Sequence, residues 1–264
     1  MRLRRSENNH YVKLCAALEG WSEGLLSHAT LARLVPAPES TIRRLATRLV
    51  ANGVLRRVGR GHYLHRDATE QPPLNEMINA VSEGGTAHYC YATAMAAHGQ
   101  VIPALAHRIF LRTSGRYRTL ELPGDLELVR TTAGFARKLK NVTVRHPLLG
   151  TIQATPPLET ALDGLDRPGW CGEVEEVARF VAAWHSTWSD EALRGAWTEH
   201  PTGPVRRLGF LIEQTGRRLP DALAPLEPGS QRFHLLAVNR DREGPSDVRW
   251  RIRVNVPLEP TPQK

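Results

Sequence analysis

Ser40, Thr41, Arg43, Arg44, Thr47 and Arg48 share one side of a short stretch. Its other side is Ile42, Leu45, Ala46 and Leu49, apolar at the i, i+3, i+4 and i+7 spacing of a helix face. Hydroxyls and guanidinium forks projecting together from a helix suit the major groove of double-stranded DNA. There arginine pairs in two-pronged fashion with guanine, and hydroxyls reach bases or phosphates. A second basic group follows at once. Arg56, Arg57, Arg60, His62 and Arg66 surround Gly59 and Gly61, glycines that can supply the positive backbone angles of a hairpin turn. A hairpin so decorated can press on phosphates or enter a minor groove. Any one of these arginines alone reads as a solvated charge, but seven confined to one helix-and-hairpin unit do not.

Other residues raise different chemistry and fall short of it. Asp125 and Glu127 alternate along an expected strand, so both carboxylates would face one side, as metal-assisted nucleotidyl transfer requires. Ser114-Gly115 precedes them, yet the next segment reads as strand, which removes the helix N-terminus that would hold a phosphate. The exposed face of a half-buried strand explains the alternation equally well. His62 and His65 face opposite sides of a strand and cannot share a metal. Asp163 and Asp166, with Glu173, Glu175 and Glu176, look like acidic complements to helix starts. His185 and His200 have no nucleophile or carboxylate at a motif spacing. Trp170, Trp184, Trp188 and Trp197 suit core packing or a protein-binding surface. Arg206 and Arg207 are expected at the rim of a helix whose inner face is Leu208, Leu211 and Ile212. No catalytic residue, cofactor site or metal site is expected.

The elements needed to position the basic face can be read around it. Ser27 can cap a short helix carrying Leu31, Leu34 and Val35, and a second helix is expected to start near Pro38. Asn52-Gly53 ends it as a left-handed cap pair, and Val54 to Val58 with His62 to His65 make the hairpin. Helix, turn, basic helix and basic hairpin in that order predict a winged helix-turn-helix.

Charge gives an independent sign. Residues 1–67 hold 12 Lys/Arg against 5 Asp/Glu, while the whole chain holds 35 against 27, so the remaining residues are nearly neutral. The excess includes Arg2, Arg4 and Arg5, expected in a flexible arm. A membrane-surface partner would need a basic amphipathic helix with exposed bulky apolar residues, and none is visible. There is no long apolar run, and MRLRR passes straight into polar residues, so a cytoplasmic protein is expected. Cys15, Cys90 and Cys171 are isolated, which argues against a disulfide framework and a zinc site.

With 264 residues the chain can form two domains. The predicted fold class is α+β, an N-terminal winged helix-turn-helix over 1–67, a linker over 68–73 and a larger mixed α+β domain over 74–264. In the latter a helix is expected over 74–81, a strand at His88 to Tyr91 and a helix over 93–98. A mainly antiparallel sheet follows from Arg108 to Thr155, then helices to about Ala224, then two late strands in FHLLAVN and VRWRIRVNV.

Four segments in order, GRGHYL, HYCYATAMAAHG, ATPPLETALDGLDRPGWCGEVEEV and RRLGFLIEQTG, resemble the AbiEi-type antitoxins of abortive-infection, type IV toxin-antitoxin systems. The resemblance spans roughly residues 10 to 220. It implies a transcriptional repressor whose winged helix binds inverted repeats in its own promoter. The DNA contacts it implies are the helix at Ser40 to Arg48 and the wing at Arg57 to His62. It also implies a C-terminal domain that neutralises a nucleotidyltransferase toxin, without a catalytic signature. Recognition of an inverted repeat predicts two copies on one site. Two alternatives stand beside this one: a winged-helix regulator whose C-terminal domain senses a small molecule, and a nucleotidyltransferase-like enzyme.

Overall fold

The computed structural model describes residues 2–21, 24–59, 61–68, 72–81, 87–113, 125–132, 140–223 and 232–258. The fold is mixed α+β. It divides into two compact units, the first built on Met1–Ala87 and the second on His88–Arg112, Leu126–Pro147 and Thr151–Lys264. The first unit runs on through the helix Leu74–Val81, where the sequence alone suggested that the second domain begins.

In the first unit, α1 is Arg2–Leu18, β1 Leu25–Ser27, α2 His28–Leu34, α3 Glu39–Ala51, β2 Leu55–Gly59, β3 His62–His65 and α4 Leu74–Val81. The three strands pair antiparallel in the order β1-β3-β2. Ser27 caps α2 as expected, its Oγ accepting the Thr30 N–H at 3.0 Å. Pro38 sits one position outside α3, and its carbonyl accepts the Thr41 and Ile42 N–H groups. At the other end only Gly53 is left-handed, with φ +70°, while Asn52 keeps φ −86°. The expected left-handed pair is therefore a single glycine. Ile42, Leu45, Ala46 and Leu49 are all buried, with Leu14 and Leu18 of α1, Leu26, Leu31, Val35, Leu55 and Tyr63. Each fully buried leucine among them stabilises the unit by about 1.5–3 kcal/mol relative to exposure. Arg2, Arg4 and Arg5, expected in a flexible arm, have the helical backbone of α1.

Strand β2 carries a bulge. Arg57 pairs with Tyr63 but Gly59 pairs with His62, so Val58 is one residue extra. Leu55 and Val58 are buried while Arg56 and Arg57 between them are both exposed. Gly61 closes the turn at φ +75°.

In the second unit, β4 is His88–Tyr89, α5 Tyr91–Ala97, β5 Arg108–Thr113, β6 Glu127–Thr132, β7 Val142–His146 and β8 Gly150–Ala154. Helices α6 Pro157–Asp166, α7 Glu173–Trp184, α8 Asp190–Glu199 and α9 Thr202–Gln214 follow, then β9 His234–Leu235, β10 Ser246–Asp247 and β11 Ile252–Arg253. The larger sheet has the order β6-β5-β4-β8-β7, with β4 antiparallel to β5 and parallel to β8. That sheet carries a parallel pairing at its centre, a feature the expectation of a mainly antiparallel sheet did not include. A parallel partner so far away in sequence leaves no mark in local spacing. Strand β4 also ends earlier than expected, because Tyr91 turns to φ +51° and opens α5.

The late strands are shorter than their β-rich sequences. Arg251 at φ +50° breaks the extended run, and Trp250 turns inward, 1% exposed. Its indole occupies the space left by Gly209, where a Cβ would come within 2.1 Å of a ring carbon. The ring N–H donates to Glu213 Oε2 at 2.8 Å. Trp250 belongs to the same buried cluster as Phe180 and Val177 of α7 and Leu208 and Leu211 of α9. Among the described residues no helix is long and apolar enough to cross a membrane.

Candidate nucleic-acid interface

The first unit presents α3 and the β2–β3 hairpin as its basic surface. Ser40, Arg43, Arg44, Thr47 and Arg48 are exposed and Thr41 is half-buried, all on the side of α3 opposite Ile42, Leu45, Ala46 and Leu49. Arg43 is held by Glu39 one turn earlier, with Nη2 donating to Oε1 at 2.5 Å. Such an exposed pair is worth only about 0.3–0.5 kcal/mol, so a phosphate can draw the guanidinium away. The Thr47 hydroxyl donates to the Arg43 carbonyl at 2.9 Å and keeps its lone pairs as acceptors.

Arg48 departs from the expectation of a base- or phosphate-contacting side chain in the same row. Its Nη1 donates to Asn8 Oδ1 of α1 at 2.8 Å, and its guanidinium lies 4.0 Å from the centre of the Tyr11 ring. Asn52 donates to the Tyr11 hydroxyl at 2.6 Å. Arg48 thus docks α1 onto the end of α3. Tyr11 and Asn8 went unnoticed in sequence, although Leu14 and Leu18 four apart mark the same helix.

On the hairpin, Arg56, Arg57 and Arg66 are exposed and His62 is half-buried. Arg57 Nε donates to the Gly59 carbonyl at 3.2 Å, which holds its stem along the strand. Arg60 lies outside the described residues. A residue not singled out by sequence sits beneath: His28, whose Nε2 is 2.8 Å from the Tyr63 hydroxyl.

The remaining candidates lie later in the chain. Asp125 is in a turn ahead of β6, not on the strand, and Glu127 pairs with Arg108 at 2.8 Å. The two carboxylates therefore do not project from one strand face. Ser114-Gly115 lies outside the described residues. Asp163 and Asp166 fall in the second half of α6, so they do not complement a helix start. Asp163 accepts from Arg112 of β5 at 2.6 Å in a nearly buried pair. Burial pushes its carboxyl up, and the Arg112 charge pulls against that. Glu173, Glu175 and Glu176 do occupy the first turn of α7. His200 is not without a carboxylate, because its Nε2 lies 2.8 Å from Glu159 Oε2.

Arg206 and Arg207, expected at a rim, are buried. Arg207 donates to the Leu235 and Leu165 carbonyls at 2.7 and 3.0 Å, and burial lowers its guanidinium to about 10. They tie chain segments together inside the unit. Trp188 is buried, and Trp170, Trp184 and Trp197 pack partly buried against the same core. Cys90 and Cys171 are buried free thiols, and burial pushes both thiol groups up. Among the described residues no three His, Cys, Asp or Glu side chains are grouped to hold a metal.

The fold has a counterpart among solved structures. The crystal structure of the RV2827C protein from Mycobacterium tuberculosis matches with a TM-score of 0.63 at 15% identity, covering 92% of this chain and 90% of that one. At that identity the likeness is one of fold. No family model and no curated protein matches the chain.

Proposed function

We propose that the first unit is a winged helix-turn-helix that binds double-stranded promoter DNA, and that the chain is a cytoplasmic repressor of its own operon. The observation that carries this reading is the exposed row of Ser40, Arg43, Arg44 and Thr47 on α3, set beside a hairpin with Arg56 and Arg57 exposed. In this mechanism α3 enters the major groove, where Arg44, Ser40 and Thr47 meet base edges. Arg43, Arg56 and Arg57 anchor phosphates, which set register and affinity without reading sequence. Bound protein then occludes the promoter. Two copies on an inverted repeat follow from the symmetry of such a site.

The second half of the proposal is that the chain is the antitoxin of a type IV, abortive-infection system whose functional partner is a nucleotidyltransferase-like toxin. It is supported by the order of the four sequence segments that resemble AbiEi-type antitoxins. Both halves are tested with the full chain. Titration against its own upstream region and against random duplex of equal length should give tighter binding to the former, with affinity falling steeply with salt. Failure to shift any duplex at low ionic strength overturns the DNA half. Co-expression with a nucleotidyltransferase encoded by the neighbouring reading frame should restore growth, and unrelieved toxicity overturns the antitoxin half.

A further inference from the structure

His28 opens α2 and lies half-buried against the turn of the hairpin. Its backbone N–H donates to the Gly61 carbonyl at 3.0 Å. Its Nε2 is 2.8 Å from the Tyr63 hydroxyl, with ring centroids 5.5 Å apart. A Cβ placed on Gly61 would come within 3.1 Å of its Nδ1, so the turn rests directly on the imidazole. Among the described residues, the charged or titratable groups that act on it are Glu39 and Arg43 of α3, Arg57 of β2 and His62 of β3, beside the Tyr63 hydroxyl of β3 that it contacts. It is thus fixed to the hairpin tip while lying within the field of the basic surface.

We propose that His28 is a positioning residue that seats the hairpin beside α3 and takes up a proton when duplex phosphates engage that surface. The inference rests on the DNA-binding reading above. In the free protein, burial, then Arg43, His62 and Arg57, hold the imidazole below the usual histidine range, and Glu39 opposes them. Phosphates that draw in Arg43 and Arg57 neutralise two of those cations, and the charge of Glu39, released from Arg43, continues to favour the protonated ring. Both changes favour the imidazolium. Its pKa is then higher in the complex than in the free chain, so affinity for DNA rises as pH falls through the interval between the two values.

The test is titration of the full chain with a duplex of its own upstream region, at fixed ionic strength, at about pH 7.5 and about pH 5.5. Wild-type affinity should rise by about threefold or more at the lower pH, beyond any change shared with His28→Gln. His28→Gln should lose that rise whatever its affinity at the higher pH, while His107→Gln, an exposed histidine of the second unit, should keep it. Independently of any variant's folding, the His28 ring resonance of the wild type should titrate at a higher pH with duplex than without. A full pH response in His28→Gln, or the same midpoint with and without duplex, overturns the inference. Absence of wild-type binding at either pH overturns the DNA reading itself, and this inference with it.

Discussion

Replacing Arg48 by alanine separates a residue that builds the first unit from residues proposed to touch DNA. Arg48 spends its charge on α1, stacked 4.0 Å above the Tyr11 ring and donating to Asn8 at 2.8 Å. An exposed cation–π contact is worth about 0.5–1 kcal/mol. The hydrogen bond adds about 0.5–1.5 kcal/mol before the cost of fixing a long side chain. Arg48 also lies in the last turn of α3, where a cation complements the helix dipole by about 0.3–1 kcal/mol. Together these give a net loss of about 1–2 kcal/mol for Arg48→Ala, measurable by urea denaturation of the full chain. A double-mutant cycle with Tyr11→Leu should return a coupling of about 0.5–1 kcal/mol, because the dipole contribution cancels in the cycle. Duplex binding measured across salt concentrations completes the comparison. Arg44→Ala should cost about 1–3 kcal/mol of specific affinity or lower the salt slope by about 1, according to whether it meets a base or a phosphate. Arg48→Ala should leave the slope as in wild type. An Arg48→Ala protein as stable as wild type but with a reduced slope would refute the assignment of Arg48 to α1.

Two further predictions concern the second unit and the effect of acid. Arg112→Met leaves Asp163 buried without its cation and should destabilise the chain by about 3–5 kcal/mol in thermal or urea unfolding, whereas adding Asp163→Leu should recover most of the loss; equal stability of the single and double variants would contradict a buried pair. Burial holds His88, His98, His146 and His185 below the usual histidine range, so the unfolded chain binds protons more readily than the folded one. Stability is therefore complete above about pH 6.5 and declines as pH falls from there toward the folded values, and urea midpoints independent of pH in that window would count against it.

How much of this molecule could be read from its residues depended on how local the deciding interaction was. The periodicity of Ile42, Leu45, Ala46 and Leu49 located α3 and its outward face, because one helix face against one core is encoded within four turns. Ser27, Gly53 and Gly61 marked their boundaries for the same reason, each meeting a requirement of its own backbone. The second unit was legible where helices carry a full apolar stripe, as in α7, and illegible where strands pair at long range, as β4 does with β8.

Arginine posed the harder problem, since its type fixes the charge but not where the guanidinium goes. Arg48 belongs by spacing to the same row as Arg44, yet an aromatic ring and an amide forty residues away in the chain claim it. Arg206 and Arg207 look like a surface pair before an apolar run, yet they lie inside, where backbone carbonyls of segments after the helix accept their protons. In each case the deciding partner is a residue or carbonyl distant in sequence. A cluster of arginines in a sequence thus sets an upper bound on the groups available to phosphates, and the bound falls by each guanidinium that the fold itself consumes. For the basic surface of this chain the structure removes Arg48 from that set and ties Arg43 to Glu39 by a weak, displaceable pair. Arg44, Arg56 and Arg57 are exposed on that same surface, and affinity for duplex should depend on them together with Arg43.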